Sequence, residues 1–277
     1  MAPTLNIVGA GHVGRALGRL FATRGVFAVQ DVLTRSGGSA QAAAAFIGAG
    51  RSVDAIVALR PASVWMLAVS DDRIAEVAQQ LAASVAMKDA VVFHCSGAKA
   101  SAELEALRAA GAFVASVHPV RSFADPAQVA AAFDGTFCGV EGDGQALALL
   151  VPAFEAIGAR VVPIDASAKT VYHAASVFAS NYLTTVLDAA LRAYQAAGIP
   201  AAAARELARP LATETLANVF RLGPEMALSG PIARGDTATV ARQQAALSAW
   251  DPATGTLYEA LASATRTLAR RKHGEQT

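Results

Sequence analysis

Three glycines near the start of the chain constrain it more than any other feature. Gly9, Gly11 and Gly14 stand in a G-x-G-x-x-G spacing, directly after the apolar run 5–8 and directly before a segment, 13–24, with helical apolar spacing. A strand, a turn and a helix are therefore predicted. In such a unit the first glycine permits the tight turn, the second lets backbone approach a pyrophosphate with no Cβ in the way, and the third lets helix and strand pack closely. His12 and Val13 fill the intervening positions, where a helix N-terminus offers its N–H groups to phosphate. The competing reading is a glycine turn with no ligand. Its position beside an apolar strand and the further Gly18 one helical turn on favour the dinucleotide site.

Composition bounds the rest. At 277 residues the chain forms one large or two ordinary domains, and 54% hydrophobic content supplies a core, much of it alanine. No run of about 18 apolar residues occurs, and the N-terminus lacks the basic and long apolar regions of a leader, so a cytoplasmic protein is expected. Cys95 and Cys138 are too few for a disulfide framework and lack metal-ligand spacing, so no metal is expected. A net charge of +1 gives no footprint for nucleic acid or an anionic membrane, and the basic cluster Arg270-Arg271-Lys272-His273 reads as a solvated end.

Through residue 165, short β-branched runs at 26–33, 64–69, 90–93, 113–117, 136–140 and 160–164 alternate with alanine-rich stretches. That alternation predicts an α/β fold with a parallel sheet over 1–165. From 166 to 277 the pattern is helical, an all-α domain with breaks at Gly198-Ile199-Pro200, Arg209-Pro210, Leu222-Gly223-Pro224, Ser229-Gly230-Pro231 and Asp251-Pro252.

The end of the second strand faces the adenosine ribose, where an acid accepts from a 2′-hydroxyl and a base receives a 2′-phosphate. Asp31 stands twenty residues past Gly11, but Val32 and Leu33 prolong the apolar strand and push its tip to Thr34-Arg35-Ser36. A guanidinium and two hydroxyls there favour NADP over NAD, with a plain surface arginine as the alternative. Two later strand tips face the same ligand. Val69, Ser70 and Asp71 line the nucleotide or cap a helix. His94, Ser96 and Gly97 border the nicotinamide, and Cys95 beside His94 makes no nucleophilic pair because neighbours on a strand point to opposite faces. His118, before Pro119, is a substrate contact or a structural histidine.

A polar stripe opens the helical part. At about 100° per residue, Lys169, His173, Ser176 and Ser180 fall within roughly 60° of arc, while Val171, Ala175, Phe178 and Ala179 point elsewhere and can bury the helix. Asn181 lies about 80° from His173 by the same rotation. Hydride transfer needs orientation, a proton donor and a dipole on the acceptor, so Lys169 and His173 are candidate donors, His173 the better near neutral pH, and Asn181 a candidate orienting group. Asp236 is a natural N-cap, and Arg234 binds a substrate carboxylate, a partner's acid or solvent.

Gly9 to Gly14, Thr34-Arg35-Ser36, Ala68 to Asp72, His94 to Gly97 and His118-Pro119, followed by Tyr172-His173, Ser180-Asn181 and Gly230 to Asp236, resemble the Rossmann-like oxidoreductases that carry a C-terminal helical domain of unknown function. More distantly the layout is similar to pyrroline-5-carboxylate reductases, deazaflavin-dependent NADP reductases and β-hydroxyacid dehydrogenases. The resemblance implies NADP binding, a crevice between the domains for a small-molecule substrate, and a homodimer through the helical domain. The β-hydroxyacid dehydrogenases pair a helix lysine with an asparagine four residues on; here His173 stands at that spacing from Lys169. The expected function is NADP(H)-dependent reduction of a small carbonyl or imine compound. The alternative is a non-catalytic NADP(H)-binding sensor or interaction protein.

Overall fold

The computed structural model describes residues 1–272, so His273 of the basic cluster lies outside the described residues. Eight strands, β1 (Thr4–Val8), β2 (Ala28–Leu33), β3 (Arg51–Val53), β4 (Val64–Leu67), β5 (Val91–His94), β6 (Phe113–Pro119), β7 (Phe137–Gly142) and β8 (Arg160–Pro163), form one sheet in the order 3-2-1-4-5-6-7-8. Helices α1 (His12–Thr23), α2 (Gly37–Ile47), α3 (Ile74–Ser84), α4 (Glu105–Ala109), α5 (Pro126–Ala131) and α6 (Gly144–Ala156) connect them. One apolar cluster gathers Leu17, Phe21, Phe93 and Phe154, with Phe154 edge-on to Phe21 at 5.3 Å and to Phe93 at 5.7 Å. A second cluster joins Trp65, Leu67 and Val92 to Leu81 of α3 and Leu107 of α4.

The sheet is mostly, not wholly, parallel: β6 and β7 run antiparallel, with His118 opposite Gly139. The connection explains this departure from expectation. A parallel return needs a crossover that travels the length of the strand. Six-residue α5 spans about 9 Å, against about 23 Å for seven-residue β6. Strand β3 was not anticipated, because Arg51-Ser52-Val53 has no apolar alternation for a pattern to detect.

Asp31 is fully buried within β2 and ion-paired to Arg51 of β3 at 3.0 Å and to Arg60 at 2.7 Å. The backbone N–H of Arg60 adds a third donor at 2.8 Å. Burial raises the carboxyl pKa, but the hydrogen bonds from Arg60 and Arg51 outweigh it and hold Asp31 at about 2. This acid fastens the edge of the sheet and lies two residues before the strand end.

After β8 the described chain is helical: α7 (Lys169–Val177), a π-helical turn (Phe178–Tyr182), then α8 (Leu183–Ala196), α9 (Ala201–Leu222), α10 (Pro224–Ala227), α11 (Thr237–Trp250) and α12 (Pro252–Lys272). Contacts divide the chain into compact units 1–180 and 181–277, so α7 belongs with the sheet although the strands end at Pro163. The break expected at Arg209-Pro210 does not occur. Pro210 sits inside α9, where its missing N–H removes one helical bond while strong helix formers on both sides continue the turn. Within the second unit Ala204, Thr254, Gly255, Ala262 and Ala269 are buried, whereas Leu207, Leu211, Phe220, Met226 and Trp250 are exposed. Among the described residues no helix is long and apolar enough to cross a membrane.

Candidate functional site

The glycine turn behaves as its spacing predicts, and each glycine has a distinct reason. Gly9 has φ +83°, and a Cβ there would lie 2.7 Å from the carbonyl of Ala68. A Cβ on Gly14 would lie 2.6 Å from the carbonyl oxygen of Gly9. Gly11 differs: a Cβ on it would meet nothing within 4 Å. It opens onto space as the N-cap of α1, and no side chain caps that helix end. An uncapped helix N-terminus beneath a bare glycine is the cradle a pyrophosphate requires, so the residues present fit a dinucleotide. His12 turns aside, its Nδ1–H donating to the carbonyl of Phe123 at 2.6 Å.

At the end of β2 the strand tip is Thr34-Arg35-Ser36, because the N–H of Gly9 bonds the carbonyl of Leu33 and closes β1 against the end of β2. Arg35 is exposed. The Ser36 hydroxyl caps α2 by accepting from the N–H of Ser39, and the Thr34 hydroxyl donates to the carbonyl of Ser36 at 2.9 Å. The two hydroxyls thus shape the turn that presents the guanidinium. Asp31 lies behind this tip with its carboxylate engaged by two arginines.

The tips of β4, β5 and β6 converge with α7. The Ser96 hydroxyl donates to Asp71 at 2.7 Å and accepts from the N–H of Lys99 at 3.0 Å, tying the turn after β5 to the turn after β4. Neither Ser70 nor Asp71 forms a side-chain cap on the short helix that follows. Lys169 is buried, its ammonium donating to the Ser96 carbonyl at 3.0 Å and to the Ser116 hydroxyl. Burial lowers the pKa of this lysine, opposed by the charges of Glu141 and Asp71. Glu141 is itself buried and accepts from the N–H and hydroxyl of Ser101, each at 2.7 Å.

His94 is buried with both ring nitrogens committed: Nδ1 accepts from the N–H of Ser96 at 3.2 Å, and Nε2–H donates to the carbonyl of Ala100 at 3.0 Å. Burial lowers its pKa, so the neutral ring braces the loop from below. The Cys95 thiol is pushed far up by burial, and Cys138 is pushed up to about 12 for the same reason. Neither forms a thiolate near neutral pH, in keeping with the rejection of a His94–Cys95 nucleophile.

Over Gly97 two imidazoles meet. A Cβ on that glycine would lie 2.3 Å from His173 Cδ2 and 2.8 Å from both Nε2 and Cε1 of His118. The rings stand edge to face at 5.7 Å. Burial, reinforced by His173 and Lys169, depresses the His118 pKa to about 4, against the opposing charge of Asp71.

The structure therefore brings together Asp71, Ser96, Gly97, His118, Lys169 and His173. Val69 lies half-buried one residue past the Ala68 carbonyl, and Ser70 is exposed. Asn181, exposed in the π-helical turn, falls in the second compact unit. Half-buried Ser176 and exposed Ser180 complete the stripe. The apolar face of α7 is the reverse of the expectation. Val171 is 76% and Phe178 69% exposed while Lys169 is buried, because the lysine finds buried oxygen acceptors that the apolar residues cannot use. Ser116, mid-strand, acquires importance only through the fold, as does the pairing of Tyr172 with His118 at 3.0 Å across 54 positions of sequence.

Residues 3–119 match the Rossmann-like domain family, and residues 136–265 match the domain of unknown function DUF2520. No curated protein sequence matches the chain. Among solved structures, a candidate NADP oxidoreductase from Bacteroides fragilis superimposes with TM-score 0.81 at 21% identity, covering 96% of this chain and 98% of its own. A protein from Thermotoga maritima gives TM-score 0.72 at 26% identity, covering 98% and 100%. An imine reductase from Myxococcus stipitatus, solved with NADP+, gives TM-score 0.66 at 15% identity, covering 97% and 93%.

Proposed function

From a chain that joins a Rossmann-like domain to a DUF2520 domain, we propose an NADP(H)-dependent reductase of a small carbonyl or imine compound. The observation that carries the reading is the meeting of His118 and His173 over Gly97, at the strand tips beyond the uncapped glycine turn. Ligands of open α/β sheets bind at the carboxyl ends of the strands. Gly9, Gly11, Gly14 and the first N–H groups of α1, from His12 and Val13 on, hold the pyrophosphate. Arg35 takes the 2′-phosphate in the turn that Thr34 and Ser36 shape, and the backbone of 69–71 and 96–97 lines the remainder. Bound there, the reduced nicotinamide would supply a hydride to the carbon of a C=O or C=N bond.

The chain's own residues manage the proton. His173, half-buried beside Gly97, donates it to the oxygen or nitrogen that receives the displaced electron pair. Lys169, with its ammonium bonded to Ser96 and Ser116, holds the 96–97 turn against α7 and keeps Gly97 beneath the imidazoles. The test is NADPH consumption across a panel of oxo-acids, ketones and imines, followed by His173→Ala. That variant should keep its NADPH affinity and lose roughly 10²–10⁴-fold in turnover, the range for a missing general acid. Tight NADPH binding with no turnover of any compound would favour the non-catalytic sensor instead.

Two further outcomes are expected. Arg35→Ala should weaken NADPH by about 1.5–3 kcal/mol, roughly 10- to 150-fold, and leave NADH nearly unchanged, since only NADPH carries the 2′-phosphate. Equal losses in fluorescence titrations of both nucleotides would reject the assignment. The second concerns assembly: exposed Leu207, Leu211, Phe220, Met226 and Trp250 in a unit whose buried residues are few and small support a homodimer through the helices. Sedimentation should show a dimer at micromolar concentration, and a monomer would refute it.

A further inference from the structure

The two imidazoles at Gly97 are held differently, and the difference assigns them separate tasks. His118 Nδ1 lies 3.0 Å from the phenol oxygen of Tyr172, with the rings edge to face at 5.6 Å. The same phenol oxygen sits against the backbone of Gly139, where a Cβ would lie 2.5 Å from it. The phenol has a single proton to give, and Nδ1 of His118 is the hydrogen-bond partner within reach of it. Burial pushes the phenol up to about 12, so that proton stays on it at neutral pH.

An accepting Nδ1 fixes the neutral tautomer of His118 with its proton on Nε2. That nitrogen, with Cε1, forms the ring edge facing Gly97, whereas the nearest atom of His173 to the same point is the carbon Cδ2. The groups that face His118 are Tyr172, His173 and Lys169 from α7 and Asp71 from the turn after β4. With its pKa at about 4 the ring remains uncharged through the neutral range.

We propose that His118 is a second catalytic group at this site, a neutral imidazole whose Nε2–H donates a hydrogen bond to the substrate's acceptor atom, with Tyr172 as its positioning residue, and that the substrate is accordingly a carbonyl compound. The inference rests on the reductase reading. A carbonyl oxygen has two lone pairs, one for the Nε2–H of His118 and one for the proton from His173; an imine nitrogen has one and cannot accept both. His118 neither gains nor loses a proton over the reaction. It polarises the C=O bond and stabilises charge that develops on oxygen, as an oxyanion-hole donor does.

The ring state can be read without turnover. Nitrogen-15 NMR of the histidine rings in the full-length protein should show His118 as the Nε2–H tautomer, with no titration between about pH 5 and 9. Tyr172→Phe should mix the two tautomers of His118 and lower kcat roughly 10- to 100-fold, less than the roughly 10²–10³-fold of a wholly lost oxyanion donor because part of the population keeps its Nε2–H. NADPH affinity should be unchanged. In the panel, ketones or aldehydes should turn over and imines should not. An Nδ1–H tautomer, a His118 that titrates near its ordinary value, an unaltered kcat in Tyr172→Phe, or turnover of imines, alone or beside carbonyls, would overturn the inference and leave the reductase reading intact. Absence of turnover on either class would sink the reductase reading itself, and this inference with it.

Discussion

Gly11→Val is expected to leave the melting temperature nearly unchanged and to weaken NADPH binding by a factor on the order of 100 or more, about 2.7 kcal/mol. The expectation follows from what surrounds each glycine. A Cβ on Gly11 meets no protein atom within 4 Å, so a small side chain there is expected to cost the fold little; what it fills is the space above the uncapped N-terminus of α1. Gly14→Val should behave in the opposite way. Its Cβ would lie 2.6 Å from the Gly9 carbonyl oxygen, a backbone atom that cannot move without distorting the turn, so the variant should be destabilised whether or not nucleotide is present. Differential scanning fluorimetry of both variants, with and without NADPH, separates the two effects. A Gly11→Val protein that binds NADPH like wild type would remove the turn from the nucleotide site.

Asp31→Ala should destabilise the fold by about 2–4 kcal/mol, which for a chain of this size lowers the melting temperature by roughly 5–15 °C. The carboxylate is fully buried, and three donor groups point at it, from Arg51, from the Arg60 guanidinium and from the Arg60 backbone. Both arginines are about half exposed and can rehydrate, which keeps the loss below that of a wholly buried pair. The pH dependence has a definite sign. The folded-state value is about 2 against an ordinary 3.8, so the acid's contribution is complete above about pH 4 and is lost as pH falls through 2. Urea denaturation between pH 2 and 6 should therefore show wild type losing stability in that window more steeply than Asp31→Ala. A melting temperature within 2 °C of wild type would contradict the network's role.

The parts of this molecule that were legible in its sequence are those governed by local rules. The glycine spacing and the apolar run before it located the first strand and turn, and β-branched runs located six more of the eight strands, the central ones because a buried parallel strand needs continuous apolar residues. Arg51-Ser52-Val53 escaped, since a three-residue edge strand is held by Asp31 and not by hydrophobicity. The stripe through Lys169 and His173 was visible as helical periodicity, but its direction was not. Hydropathy places lysine outside and valine inside; the fold inverts them because Ser96 and Ser116, from distant strands, offer the acceptors. Past Val177 the rotation rule also fails, since a π-helical turn carries more residues than an α-turn, so the angle computed from His173 to Asn181 on an ideal helix does not hold. The partnership of Tyr172 with His118 had no local signal of any kind, being created by the packing of α7 on the end of β6.

The inverted face of α7 sets how this segment breathes. A helix that buries one ammonium and leaves Val171 and Phe178 largely exposed gains little hydrophobic adhesion from docking, and its attachment rests instead on polar contacts that water can replace. Such a helix is expected to detach by local opening at far lower free energy than the sheet melts. Hydrogen exchange should show amides 169–177 exchanging well ahead of those in β4, β5 and β6. The roof over Gly97 would then be a door that opens without unfolding the house, and ligand could arrive and depart at the pace of one helix lifting.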